Sequence, residues 1–194
     1  MDTYPLADGG LVRFDPHFLS REEADACFAA LRNGCVWEQK PGLFGRMQPR
    51  LITSYGEPGL TYRYSGVTNV ARPWLPEMVQ LRDRLEAVDG RYNFCLLNLY
   101  RDGSDSMGWH ADNEPEMGPT IASLTLGATR RFRIRHNGSR EIREFALGHG
   151  ALLIMSGTMQ QYWQHEVPKT RIAVGERINL TFREVVQREP TRAR

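Results

Sequence analysis

From residue 93 onward, apolar side chains recur at every second position in short runs broken by Gly, Asn and Asp. A period of two places successive side chains on opposite faces of an extended chain, so this half of the sequence is committed to β-structure. Strands are predicted near 93–100, 120–126, 130–136, 141–147, 151–155 and 177–184. The turns Gly127-Ala128-Thr129 and Gly148-His149-Gly150 read as hairpin connections. The front half has a different period. Ser20-Arg21-Glu22-Glu23 is a capping box, followed at helical spacing by Ala24, Cys27, Phe28 and Leu31, with Gly34 as the stop. A second helix is predicted after Pro73 and Pro76, with Met78, Leu81, Leu85 and Val88 as its apolar stripe. The expected class is α+β, with helices packed outside an antiparallel sandwich or barrel.

The 194 residues suit one domain, and neither linker, repeat nor low-complexity segment divides them. Hydrophobic residues at 41% and charged residues at 25% are near the globular average and suggest neither a disordered chain nor a membrane protein. No apolar run approaches the roughly 20 residues that cross a bilayer, so no membrane partner is expected. Asp2 and Asp8 stand where a secretory leader would be basic and then apolar. Cys27, Cys35 and Cys95 are an odd number without metal-ligand spacing, as expected of reduced thiols in an intracellular protein. A net charge of +2 permits an anionic partner without demanding one.

The chemistry lies in the second half. Trp109-His110-Ala111-Asp112 sets an imidazole and a carboxylate two residues apart, on one face of an extended segment. Most such pairs, taken alone, are incidental surface or hydrogen-bonding residues. His165, in Tyr162-Trp163-Gln164-His165-Glu166-Val167, adds a second imidazole in an apolar, aromatic setting. Two histidines and one carboxylate form the facial triad that holds Fe(II) and leaves positions open for co-substrate and O2. A zinc hydrolase would accept the same ligands, but no His-Glu-x-x-His helix is present. His149, between two glycines, is read as a turn or core residue.

In Arg177-Ile178-Asn179-Leu180-Thr181-Phe182-Arg183, the apolar residues share one face, and Arg177, Asn179, Thr181 and Arg183 share the other. The polar face is either solvated or turned inward. If inward, six residues span about 20 Å, and two arginines reaching in from the ends leave a gap suited to a short dicarboxylate gripped by guanidinium forks. Asn98 and Tyr100 share a face of the run Phe94–Tyr100, as donors to a ligand or as core residues.

Together, Asn98-Leu99-Tyr100, His110-Ala111-Asp112, His165 and the run from Arg177 to Arg183 resemble the AlkB family of nucleic-acid demethylases, over a stretch from about Phe14 to Arg183. The resemblance implies a double-stranded β-helix (jelly-roll) catalytic core over 93–184, with a nucleotide-recognition and helical support region over 1–92. It implies that His110, Asp112 and His165 bind Fe(II). Asn98, Tyr100, Arg177 and Arg183, with Asn179 and Thr181, are implied to hold 2-oxoglutarate, Arg183 lying near Asp112. The implied reaction consumes 2-oxoglutarate and O2 and removes N-methyl groups from 1-methyladenine and 3-methylcytosine, releasing formaldehyde, succinate and CO2.

For the base, the resemblance makes Tyr62 and Tyr64 of Leu60-Thr61-Tyr62-Arg63-Tyr64-Ser65-Gly66 the walls of the pocket, with Ser65 beside them. A hairpin packing both tyrosines into the core is the alternative. Glu114 resembles an acidic residue facing the Watson–Crick edge, or is a free surface glutamate. Lys40, Arg46, Arg50, Arg63 and Arg72 are placed to meet phosphates or are ordinary surface charge. Phe44, in Gly42-Leu43-Phe44-Gly45, resembles the apolar finger of duplex-preferring members. Asp105-Ser106-Met107-Gly108-Trp109-His110 and Trp163-Gln164-His165 resemble members that favour single strands and RNA. The expected partner is therefore alkylated DNA, single- or double-stranded, with RNA as a further substrate. The expected protein is a monomer of the cytoplasm, or of the nucleus in a eukaryote. Another 2-oxoglutarate oxygenase, acting on protein or a small molecule, and a non-catalytic damage-binding module are the alternatives.

Overall fold

The computed structural model describes residues 1–42, 45–64 and 67–186, the side chains of 62–69 excepted. Phe44 and Ser65 lie outside the described residues, as do the side chains of Tyr62 and Tyr64. In chain order the elements are β1 (Asp2–Pro5), β2 (Gly10–Asp15), α1 (Arg21–Gly34), β3 (Leu51–Gly56), β4 (Thr61–Tyr64), β5 (Val67–Val70), β6 (Arg72–Pro73) and α2 (Pro76–Glu86). They continue as β7 (Phe94–Tyr100), β8 (Met107–His110), β9 (Met117–Gly127), β10 (Arg130–His136) and β11 (Ile142–Leu147). The chain then forms β12 (Leu152–Gly157), α3 (Met159–Tyr162), β13 (Trp163–Val167) and β14 (Arg177–Val185).

The capping box forms as read: Ser20 Oγ accepts from the Glu23 amide, and Glu23 Oε2 accepts from the Ser20 amide. A cap of this kind contributes about 1 kcal/mol. Helix α1 ends on Gly34, but Cys35 follows in extended backbone, so the stop needs no left-handed glycine. Pro76 takes the first helical position of α2, where its missing N–H costs nothing. Met78, Leu81 and Leu85 are buried, whereas Val88 lies past the helix end and Pro73 belongs to β6.

Two sheets make the body. One has eight strands in the order β1-β2-β12-β9-β14-β7-β3-β6, and the other four in the order β11-β10-β13-β8. This pairing corrects the two expected hairpins. The turn at Gly127 carries the chain from β9 in the large sheet to β10 in the small one, and 148–151 returns it from β11 to β12. Glycine signals the reversal in both cases but not which sheet receives the next strand. Gly127 has φ of +86°, and a Cβ there would stand 2.4 Å from the Glu176 carbonyl oxygen, so a side chain is excluded twice over. Strands β10 and β11 form a true hairpin, as do β4 and β5.

The large sheet is covered on both sides, which is why all seven residues of β7 are buried. One face packs Leu97, Leu124, Leu180 and Phe182 against Leu31 of α1 and Leu81 of α2. Toward the small sheet, Ile121, Leu153 and Met155 meet Phe132, Ile134 and Trp163. Residues before 93 supply β1, β2, β3 and β6 to this same sheet. No helix among the described residues is long and apolar enough to cross a membrane.

Candidate metal and co-substrate site

The alternation of β14 places Ile178, Leu180 and Phe182 against the helices, so its polar residues must face the interior between the sheets. They are buried: Arg177 is 1% exposed, Asn179 8%, Thr181 6% and Arg183 3%. A solvated polar face is thereby excluded. The antiparallel register sets Arg177 beside Tyr100 and Asn179 beside Asn98 of β7, and on the other side Asn179 beside Thr125 and Thr181 beside Ser123 of β9. Asn98, Asn179, Thr181, Arg183 and Ser123 line one cavity together with His110, Asp112 and His165.

His110 and His165 pair directly across β8 and β13, with ring centroids 4.1 Å apart. Asp112 follows β8 and turns its carboxylate toward both: Oδ1 lies 3.9 Å from His110 Nε2, and Oδ2 lies 3.8 Å from His165 Nε2. One ligand atom from each of the three falls within 4.8 Å of the others. His110 Nδ1 lies 2.8 Å from the Gly108 carbonyl, to which it can only donate, so Nε2 keeps its lone pair for a metal.

The electrostatics match a ligand set. Burial pushes His110 below the ordinary imidazole range, and burial with the neighbouring His110 pushes His165 down to about 3. Burial by itself raises the Asp112 carboxyl, but Arg183 and the two imidazoles outweigh it and hold the group below its usual range. Arg183 Nη2 donates to Asp112 Oδ2 at 2.7 Å. Two neutral imidazoles and one carboxylate are the protonation states in which these groups bind a divalent cation. Asp112 Oδ1 and His165 Nδ1 have no hydrogen-bond partner among the described residues. Two imidazoles and one carboxylate converging on one cavity fit Fe(II).

Arg177 supplies the complementary observation. Its Nη2 donates to Thr125 Oγ1 at 2.9 Å, while Nε and Nη1 are buried without a hydrogen-bond partner among the described residues. The guanidinium carbon stands 5.1 Å from the centre of the Tyr100 ring. Burial pushes Arg177 down to about 10. A buried guanidinium with spare donors fits an absent carboxylate, and 2-oxoglutarate meets that requirement.

The other expected residues fall in three groups. Glu114 is half-buried and lines a depression shared with Asp112, Gln160 and Gln161. Lys40 and Arg72 flank Glu38, and Arg46 is exposed, so these remain at the surface. Arg50 is a correction: it is 4% exposed and its Nε donates to Asn98 Oδ1 at 2.7 Å, so it has no surface from which to meet a phosphate. Gln160, which the sequence did not single out, accepts from the Asp112 amide through Oε1 at 3.0 Å and anchors the ligand loop.

The family model of the 2OG-Fe(II) oxygenase superfamily matches residues 12–183. Human alpha-ketoglutarate-dependent dioxygenase alkB homolog 3 is 42% identical over 186 residues, covering 88% of this chain and 64% of the relative. Mouse DNA oxidative demethylase ALKBH2 is 39% identical over 183 residues, covering 86% of this chain and 77% of the relative. The chain spans 62% to 66% of the length of the bovine and rat relatives it matches. Among solved structures, OsALKBH1 superimposes with a TM-score of 0.68 at 17% identity over 94% of this chain and all of the other, a likeness of fold.

Proposed function

This chain belongs to the AlkB family within the 2OG-Fe(II) oxygenase superfamily, and from that premise we propose that it oxidatively demethylates N-alkylated bases in DNA, and in RNA. The observation that carries the reading is the shared cavity, where the His110, Asp112 and His165 donors meet a row of buried polar residues leading along β14 to Arg177.

Iron(II), 2-oxoglutarate and O2, when bound, supply oxidation of the N-methyl C–H bond, with succinate, CO2 and formaldehyde as products. The chain's own part is positional and electrostatic. His110 and His165 offer Nε2, and Arg183 keeps Asp112 ionised and turned toward them. Arg177 takes the distal carboxylate of the co-substrate, with Tyr100, Asn98, Asn179 and Thr181 along the wall. Phe132, Met155 and Val167, from the apolar packing between the sheets, line the same cavity and give it an apolar wall.

Residues 93–184 form the catalytic core in this reading, and 1–92 carry base recognition. Tyr62 and Tyr64 are the walls of the pocket for the flipped base, Ser65 contributes to binding it, and Phe44 wedges the duplex. Glu114 accepts from the exocyclic amine that 1-methyladenine and 3-methylcytosine both carry. The protein acts as a monomer in the cytoplasm, or in the nucleus of a eukaryotic cell. The names of the two relatives, a DNA oxidative demethylase and an alpha-ketoglutarate-dependent dioxygenase, support the demethylation reading. The test is formaldehyde release from oligonucleotides carrying 1-methyladenine or 3-methylcytosine, as single strands, duplexes and RNA. Release that requires both iron(II) and 2-oxoglutarate is expected. Turnover independent of 2-oxoglutarate would refute the reading.

A further inference from the structure

Arg50 precedes β3, and the alternation Arg50, Ile52, Ser54 puts it on the face of that strand which pairs with Asn98 and Leu96 of β7. Its partners are an amide oxygen and, at 3.5 Å through Nη1, the Ser106 carbonyl; no carboxylate among the described residues forms an ion pair with it. A guanidinium only donates, so the Asn98 atom 2.7 Å from Arg50 Nε has to be the carbonyl oxygen. That fixes an amide whose orientation would otherwise be free. With Oδ1 committed to Arg50, the NH2 group of Asn98 is what remains for the cavity that Asn98 lines. Flipped, the same amide would present its oxygen to an anionic co-substrate and repel it.

We propose that Arg50 is a positioning residue for 2-oxoglutarate, acting through Asn98: it holds the carbonyl so that the amide donates into the cavity. The inference rests on the reading of this cavity as the co-substrate site.

The test is calorimetric titration of 2-oxoglutarate into Mn(II)-loaded protein, in which no turnover interferes, for wild type, Arg50→Met, Asn98→Ala and the double variant. Melting curves accompany each. Arg50→Met is expected to raise the Kd about ten- to hundredfold, as for loss of a hydrogen bond with a charged partner. In the Asn98→Ala background it should add less than about threefold, because the residue it acts through is gone. Equal losses in both backgrounds would mean that the charge itself attracts the dianion and would overturn the proposal. An unchanged Kd in Arg50→Met would overturn it too, and a raised KM for the methylated strand alone would then give Arg50 to the substrate. Should Arg50→Met fail to fold, Arg50→Gln keeps a polar side chain that can donate or accept and so no longer fixes the amide. A folded Arg50→Gln protein with wild-type affinity would refute the role, and one with weakened affinity, again coupled to Asn98, would support it. Wild-type protein that binds no 2-oxoglutarate would instead refute the reading of the cavity.

Discussion

Replacing Arg177 by Met separates holding the fold from holding the co-substrate. Arg177 is fully buried with two donor nitrogens that lack hydrogen-bond partners among the described residues, and burial pushes its pKa from the ordinary 12.5 down to about 10. Each unit corresponds to about 1.4 kcal/mol, so the charged form costs the ligand-free fold on the order of 3 kcal/mol. Methionine has a comparable reach and no charge. Burying a charge without a full set of partners costs the fold, and its removal relieves that cost. The variant should therefore melt no lower than wild type without ligand. Its affinity for 2-oxoglutarate should fall by roughly 30- to 1000-fold, from about 2–4 kcal/mol for truncating one side of a buried charge pair. The assay is a pair of thermal melts, with and without saturating 2-oxoglutarate on Mn(II)-loaded protein. The wild type gains a ligand-dependent rise that the variant loses. A variant that melts much lower, yet binds 2-oxoglutarate as wild type does, would show that Arg177 is a structural residue and refute the reasoning.

Three further outcomes are expected. The folded-state pKa of His165, about 3, lies below its ordinary 6.5, so the unfolded chain takes up that proton first. Metal-free protein should keep its full stability above pH 6.5 and lose about 2 kcal/mol by pH 5; denaturant melts of wild type and His165→Gln check this, and an equal slope in both would contradict it. Glu114→Ala should slow demethylation of 1-methyladenine and 3-methylcytosine much more than uncoupled 2-oxoglutarate turnover, whereas equal slowing would indicate a structural role. Phe44→Ala should keep its melting temperature and single-strand activity while losing most duplex activity; parallel loss on both strands, with destabilisation of about 3–5 kcal/mol, would make it a core residue.

The reading of β14 shows how far the sequence carries. Its alternation and the spacing of its two arginines are local properties and visible in the chain. Whether the polar face met water or the interior depended on α1 and α2 covering the opposite face, which is a tertiary fact. His110 and Asp112 were legible as a pair, but their closeness to His165 follows from β8 and β13 being neighbours in the small sheet. The crossovers after β9 and β11 read as hairpins for the same reason: a turn encodes reversal, not the partner strand. Arg50 was grouped with surface cations because a lone arginine carries no mark of burial. The usable signal was its phase with Ile52 and Ser54, on a strand the sequence did not disclose. Gln160 is held to Asp112 across 48 residues, a contact no local pattern announces.

The central claim is that His110, Asp112 and His165 hold the iron at which 2-oxoglutarate oxidation is coupled to loss of a base N-methyl group. The most direct measurement is the ratio of succinate formed to formaldehyde released from a 3-methylcytosine strand, for wild type and Asp112→Ala at equal, verified folding. The account predicts one succinate per formaldehyde in the wild type, and in Asp112→Ala neither product together with loss of bound iron. Near-normal formaldehyde release by Asp112→Ala, or release without succinate by the wild type, would contradict it.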